Sequence, residues 1–347
     1  MMLAYNLTDE AIYLDLAPKM PAETIAELFP VYPTLPLEQP PPATTTLLGS
    51  TKLTFHLQPG FAQIGRIGMA ASNNWVIDGS KSASGRPMLA NDPHLPQSLP
   101  SIWYEAVLVT PEGFVAGAMA AGSPGVAIGT NGHVAWGVTS AQADVMDLSI
   151  EKLSDDGQRY LFQGKWYPLE QREVTIHVKG APDVKRIVRS TRHGPLVSEL
   201  LKAKDNPIGV TVRGNYALAL RFAGLTPAPG ALAGFRASLA RNGGELVDAY
   251  REFAITPLNL VWADERGDIG WHVVGAIPNR VGFSGKYPTP GWTDEFEWKG
   301  MIPFDDLPSL RNPTEHFIAT ANDRIGDPHF AGSFVAPWRR DRIAALI

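Results

Sequence analysis

From Ser72 onward, apolar residues come in short runs bounded by Gly, Pro, Asn or Asp: "NWVID", "PMLAND", "WYEAVLVT", "GFVAGAM" and "GVAIGTNGHVAWGVT". Runs this short, with turn residues between them, predict strands joined by tight connections. Within "IGTNGHVAWG", Asn131-Gly132 suits the positive φ angles of a type I′ turn and predicts a hairpin. "LVWADERGDIGWHVVGAI" repeats the plan with Asp264 to Asp268 at its turn, and "VTIHVKG" with "VKRIVRST" predicts a further strand pair. The clearest helical pattern is 231–254, "ALAGFRASLARNGGELVDAYREFA", which Asn242-Gly243-Gly244 should break into two helices. Strands, then helix, then strands predict a layered α+β or mixed α/β domain, and no repeat of fixed period is present.

Upstream the texture differs. Residues 9–29 predict one or two short helices, with Pro21 near an N-terminus and Ala22 to Phe29 amphipathic. The run "PVYPTLPLEQPPP" is too rich in proline for a helix or a central strand, and residues 30–71 read as a linker or spacer. The organisation expected is thus a segment over 1–29, a spacer over 30–71 and a domain over 72–347.

A chain of 347 residues with 44% hydrophobic content can fill a sizeable core. Thirty basic against 35 acidic residues give a net charge of -5, and no basic run is present to neutralise a phosphate backbone, so no nucleic-acid partner is expected. The absence of cysteine removes disulfides, thiolate metal sites and a cysteine nucleophile. No apolar run reaches the roughly 18 residues of a membrane span, and the N-terminus carries acids where an export signal needs bases. No membrane span is expected, and the chain as given shows no export signal.

Motifs narrow the chemistry further. The string around Ser284, "GFSGK", is not a nucleophile elbow, and neither H-E-x-x-H nor a P-loop occurs. Ser72 remains, behind the small residues Ala70 and Ala71 and ahead of a strand. A serine hydroxyl needs a base, and one solution makes the serine the first residue of a chain so that its own α-amine takes the proton. An α-amine titrates near pH 8, which suits that task. From the residues alone, Ser72 is either such a nucleophile or an ordinary strand-edge serine.

"SNNWVIDGSKSASGRPMLANDPHL" resembles the start of the catalytic β chain of the penicillin acylase family, the N-terminal-nucleophile (Ntn) amidohydrolases that include penicillin, cephalosporin and acyl-homoserine-lactone acylases. The resemblance continues in order through "GTNGHVAWGVTSAQADVMDLSIEKL", "RHGPL", "ALRFAGL", "WADERGDIGWHVVGAIPNR", "WKGMIPFDDLP" and "FIATANDR", over about 72–342. It implies an α+β fold of layered αββα type, present here in part. It further implies an autoproteolytic cut between Ala71 and Ser72, an α/β heterodimer after processing, and a periplasmic or secreted setting.

Site roles follow from the same resemblance. Ser72 would be the nucleophile, and His94, in "NDPH", would orient its hydroxyl. The backbone N–H at Ser140 and the side-chain amide of Asn322 would bind the oxyanion. Arg342, with Arg340 as competitor, would position Asn322. Asp144, Asp147 and the Met146 carbonyl match ligands of a structural calcium ion; no cofactor is required for the chemistry. "DPHFAGSF" lacks the aspartate expected at a late ligand position, and one further ligand should come from a region the chain does not contain. Leu95, Ile128, Val138, Phe222 and Leu258 match the acyl-pocket lining, all apolar.

The function expected is an amidohydrolase that cleaves a linear amide between an apolar acyl group and an amine, a small-molecule substrate, through an acyl-enzyme on Ser72. His94 leans it toward the cephalosporin or lactone acylases. Family precursors are longer at both ends, so the sequence reads as a fragment holding the end of the α chain, the spacer and the first part of the β chain. The alternative from another class is a non-catalytic remnant that binds a ligand or partner chain without turnover.

Overall fold

Alternation along the strand Leu258–Asp264 sorts the molecule into layers. Leu258, Leu260 and Trp262 point to one side, where they join Trp136, Leu246 and Val274 in an apolar cluster beneath the helices Ala233–Ala237 and Gly243–Ala249. Val261 and Ala263 point to the other side and meet Val76, Trp271, Val273 and Ile318. A strand covered on both faces carries almost no solvated position, and each fully buried Leu or Val contributes about 1.5–3 kcal/mol.

In the computed structural model, residues 10, 16, 19–28, 40–50, 53–57, 71–95, 97–201, 208–225, 229–254, 256–326 and 330–347 are described. Leu258–Asp264 belongs to a seven-stranded antiparallel sheet in the order Ser309–Arg311, Ile269–Val274, Leu258–Asp264, Val134–Ser140, Ile128–Thr130, Gly113–Ala120 and Trp103–Thr110. Facing it is a smaller antiparallel sheet, Phe317–Thr320, Ala71–Ile77 and Met88–His94. The helix Trp338–Leu346 packs against this smaller sheet, so the order is helix, sheet, sheet, helix. The expected layered α+β architecture is borne out. A further sheet pairs Met146–Lys152 with Tyr216–Phe222 and Thr289–Pro290.

The helical stretch breaks where the sequence indicates, though its pieces are shorter than the pattern suggested. Asn242 caps the second helix, its Oδ1 accepting from the Glu245 N–H at 3.0 Å. Gly243 is required for another reason: a Cβ there would meet the Trp262 ring at 2.2 Å. The pair around Asp264–Asp268 forms as expected, and Val184–Thr191 pairs with a strand that is Glu170–Ile176, beginning before the expected "VTIHVKG" run and leaving out its last four residues.

The Asn131-Gly132 hairpin forms, but not with the predicted turn. Gly132 has φ +89°, while Asn131 is absent from the left-handed region. The Asn131 Oδ1 instead accepts from the N–H groups of His133 and Val134, and its Nδ2 donates to the carbonyls of Ser238 and Ala240 at 3.1 and 2.7 Å. A side chain committed to tertiary hydrogen bonds outweighs the local turn preference.

Upstream, the helix Ala22–Leu28 is present, with Ile25 buried. Part of the expected spacer is regular: a helix over Pro42–Gly49, opened by the proline that closes the rich run, and a strand over Leu53–Leu57 paired with Ile208–Val212. Residues 29–39 and 58–70 lie outside the described residues, as does most of the expected helix N-terminal to Lys19.

Candidate active site

Three strands converge at Ser72. Antiparallel pairing sets Ser72 opposite Pro93, and Asn74 and Val76, two and four residues on, share its face. Val76 lies in the core between the two sheets, so the Ser72 side chain is directed into the same space, and Ser72 is only 8% exposed. The Ser72 N–H donates to Asn322 Oδ1 at 2.6 Å, and Asn322 Nδ2 donates to the Ser140 carbonyl at 3.0 Å. Residues far apart in the sequence are thereby brought to one point.

Asn322 is fully buried and has φ +65°, a left-handed conformation that asparagine tolerates better than most residues. Neighbouring bonds hold this corner: the Val335 N–H donates to the Asn322 carbonyl, and the Ala321 N–H donates to Asp323 Oδ1 at 3.0 Å. Burial pushes the Asp323 carboxyl up from its ordinary value, against the opposing pull of Arg340, whose Nε lies 3.0 Å from its Oδ2.

Ser140 ends the strand Val134–Ser140. The Ala141 N–H donates to the Pro257 carbonyl, so the next pair, Ser140 with Leu258, is one whose backbone groups point away from each other. The Ser140 N–H and carbonyl therefore face the side from which Asn322 approaches. These two groups, the Ser140 N–H and the Asn322 amide, are the donors expected of an oxyanion hole.

The arginine at this site is Arg339, which sequence reasoning missed. Its Nη1 donates to the Ser72 carbonyl and to Asn73 Oδ1, each at 2.7 Å. Its Nη2 donates to the Ala321 carbonyl at 2.6 Å and to Asn322 Oδ1 at 3.1 Å. Arg342, the residue expected there, is exposed on the same helix, and Arg340 pairs with Asp323 and Asp341. Arg339 and Arg342 are three residues apart and share one side of the helix, but Arg339 lies in its first turn and makes the bonds to Ser72 and Asn322, whereas Arg342 stands one turn further along. Arg339 also fixes the orientation of the Asn322 amide: a guanidinium only donates, so the amide oxygen must face it.

His94 is not brought to the Ser72 hydroxyl. Its cross-strand partner is Ala71, one residue out of phase with Ser72, which puts its side chain on the opposite face of the sheet. There it is half-exposed, with Nε2 2.7 Å from Asp92 Oδ2 and 3.2 Å from Asn73 Nδ2. The hydrogen bond from His94 holds the Asp92 carboxyl below its ordinary value.

The expected acyl-lining residues divide. Val138 and Leu258 are diagonal neighbours on the helix-facing side of the large sheet, partly buried against its core, and Ile128 lies in the same sheet. Phe222 belongs to the separate sheet, opposite Met146, and Leu95 follows the strand Met88–His94. A surface concavity of about 380 Å³, lined by Asn279, Ile302, Pro303 and Asp306, includes none of the site residues.

Asp144, Met146 and Asp147 do cluster, but around a guanidinium. Arg280, 4% exposed, reaches both Asp147 oxygens at 3.0 Å, the Asp144 carbonyl at 3.0 Å and carboxylate at 3.2 Å, and the Met146 carbonyl at 3.4 Å. Trp298 Nε1 donates to Asp147 as well. Beside them Glu10 is buried, accepts from the Leu148 N–H at 3.3 Å and has no partner on Oε1. Burial first, then the Asp147 and Asp144 charges, push its carboxyl well up, toward the neutral acid. The oxygens expected to bind calcium already serve Arg280, so the set as arranged does not fit the ion. Among the described residues, no group of three or more His, Cys, Asp or Glu side chains is poised for a metal.

The similarities agree with the geometry. The whole chain, residues 1–347, matches the family model described as penicillin amidase. It is 37% identical to the acyl-homoserine lactone acylase QuiP of Pseudomonas aeruginosa, over 99% of this chain and 42% of that protein. It is 33% identical to the penicillin acylase 2 proenzyme of Pseudomonas sp. strain SE83, over 78% of this chain and 34% of that protein. A solved structure of thermostable penicillin G acylase from Alcaligenes faecalis is similar with a TM-score of 0.64 at 26% identity, over 76% of this chain and 46% of that chain. The chain thus spans less than half the length of these relatives. With Ser72, Asn322 and Ser140 joined as described and all of residues 1–347 falling within the family match, the chain belongs to the penicillin amidase family.

Proposed function

We propose that this chain carries the nucleophile and oxyanion donors of an acylase that hydrolyses a linear amide between an apolar acyl group and an amine. The observation that carries the reading is the hydrogen-bonded set Ser72 N–H, Asn322 amide and Ser140 carbonyl, buried where three strands meet. In this reading the Ala71–Ser72 peptide bond is cut first, and the two products stay together as α and β chains. The freed Ser72 α-amine takes the hydroxyl proton as Oγ attacks the substrate carbonyl. Negative charge then gathers on the carbonyl oxygen, where the Ser140 N–H and Asn322 Nδ2 donate to it. Collapse breaks the C–N bond, the amine leaves with the proton, and water repeats the sequence on the ester to release the acid.

The acyl group is read as apolar because relatives are named as acyl-homoserine lactone and penicillin acylases and the positions that match the family's acyl lining, Leu95, Ile128, Val138, Phe222 and Leu258, are apolar residues, although Val138 and Leu258 lie on the helix-facing side of the large sheet, away from Ser72. A periplasmic or secreted setting goes with the family resemblance. No described helix is long and apolar enough to cross a membrane.

Intact-mass measurement on the purified full-length protein tests the cut: a chain beginning at Ser72 is expected, and an uncut protein without turnover supports the non-catalytic alternative. A panel of homoserine lactones with lengthening acyl chains, beside phenylacetyl and glutaryl amides, tests the substrate. Specificity should rise about fourfold per buried methylene and then level off. A clear preference for the glutaryl amide would refute the apolar acyl group.

A further inference from the structure

Behind the site, buried polar side chains form one continuous line between the two sheets. Trp271 Nε1 donates to Asn259 Oδ1 at 3.0 Å, and Asn259 Nδ2 donates to Thr139 Oγ1 at 3.0 Å. Thr139 and Thr320 are joined hydroxyl to hydroxyl at 2.6 Å, Thr320 Oγ1 donates to Asn74 Oδ1 at 2.6 Å, and Asn74 Nδ2 donates to Asn91 Oδ1 at 3.2 Å. Trp271, Asn259, Thr139, Thr320 and Asn74 are each at most 5% exposed. Gly137 makes room at the far end, since a Cβ there would lie 2.4 Å from Asn91 Oδ1.

The line has one direction, and its first member sets it. An indole N–H can only donate, so the Asn259 oxygen must face Trp271 and its NH₂ must face Thr139. The Thr139 oxygen accepts that bond, and because the Thr320 hydroxyl donates to Asn74 Oδ1, the hydrogen shared by the two threonines comes from Thr139. The Thr320 hydrogen then goes to Asn74, whose NH₂ is left for Asn91. Reversal of any one group would set two donors or two acceptors against each other in a buried space, a penalty that keeps the line in register.

Each strand that delivers a site group supplies one member. Thr139 precedes Ser140, Thr320 is two residues before Asn322, and Asn74 is two residues after Ser72. Asn259 also reaches the Ser140 carbonyl, with its Nδ2 at 3.4 Å, the same oxygen that receives Asn322 Nδ2. We infer that this Trp271-to-Asn91 line is a positioning relay, fixing the spacing of Ser72, Ser140 and Asn322. None of its members touches the reacting atoms. The inference rests on the acylase reading above.

The test uses Thr139→Val, Thr139→Ser and Trp271→Phe in the full-length protein, with kcat, KM and melting temperature measured for each. Thr139→Val keeps shape but removes the hydroxyl, and Trp271→Phe keeps an aromatic ring but removes the donor that sets the direction. Both should lower kcat about tenfold, the loss expected for one misdirected hydrogen bond, with KM within about twofold. Thr139→Ser should restore most of kcat even though losing the methyl lowers the melting temperature. A purely structural line would lower melting temperature in all three and leave kcat of the folded protein alone; that result overturns the relay. If Thr139→Val does not fold, Trp271→Phe decides by the same criterion. Failure of the wild-type protein to turn over any amide overturns the acylase reading and the relay with it, whereas wild-type turnover with unchanged kcat in the variants overturns the relay alone.

Discussion

Asn322 grips Ser72 through its oxygen and Ser140 through its nitrogen, so one buried carboxamide joins both sheets at the point where chemistry is proposed. Replacing Asn322 by alanine should reduce kcat by about 10²–10³, the scale for losing one oxyanion donor, with little change in KM. Asn322→Asp should do no better, because a carboxylate lacks the donors and repels the oxyanion. Steady-state kinetics on any turned-over amide checks this, and a change confined to KM would remove Asn322 from the role.

Arg339 and Arg342 separate cleanly. Arg339→Met removes four hydrogen bonds, two of them to the carbonyls of Ser72 and Ala321, and leaves partly buried acceptors unpaired. Activity should fall at least tenfold, together with about 1–3 kcal/mol of stability. Arg342→Met, at an exposed position, should stay within about 0.5 kcal/mol of wild type. Denaturant midpoints and turnover measured side by side would expose an error in this assignment if the two variants behaved alike.

The Arg280 cluster should govern stability without calcium. Arg280→Met strands the Asp144 and Asp147 carboxylates in a buried setting and should cost about 3–5 kcal/mol. Calorimetry in excess calcium and in chelator should give the same wild-type melting temperature. A large calcium-dependent rise would show that the guanidinium yields its place to the ion.

A pH limit is expected from His193, which lies between Glu151, 2.6 Å from Nδ1, and Glu297, 2.7 Å from Nε2. Burial alone would lower the imidazole's pKa, but the bonds to Glu151 and Glu297 and their charges outweigh it and leave it raised. A raised folded-state value means the bridge contributes fully below the ordinary value of 6.5 and is lost as pH climbs through the raised one. On the acid side, burial raises the Glu297 carboxyl but His193 and Arg221 dominate and lower it from 4.5 to about 2, so its contribution fades as pH falls across that window. Melting temperature against pH should therefore drop on the alkaline side, and His193→Gln should flatten that limb. An unchanged alkaline slope in the variant would assign the loss to other groups.

Much of this molecule was legible in its sequence. The strand runs, the capped break at Asn242 and the turn at Asp264–Asp268 depend on local preferences that the tertiary structure reinforces. Ser72, Ser140 and Asn322 came from motif resemblance, and the structure brings them together. What was hidden depended on phase and distance. His94 stands 22 residues after Ser72, but antiparallel parity sends it to the other face. Nothing in the sequence marks Arg339 off from Arg340 and Arg342; what separates it is its place in the first turn of the helix, beside Ser72 and Asn322. Arg280 and Glu10, 136 and 134 residues from Asp144, carry no local sign of meeting it. The Asn131 side chain left its predicted turn for the Ser238 and Ala240 carbonyls, between the two helices and more than 100 residues away, a choice only the assembled fold offers.

The strand Leu258–Asp264 shows oil to the helices on one face and, through Asn259, a polar member of the relay on the other. A slip of one residue in its pairing would exchange the two faces, driving Asn259 into the apolar cluster and setting Leu260 against Thr139. Such an error would be penalised twice, once as an unpaired amide in hydrocarbon and once as hydrocarbon where hydroxyls need partners. Copying fidelity at the site is thus inherited from the fold: a chain that assembles its core correctly has no separate freedom to misplace the groups around Ser72.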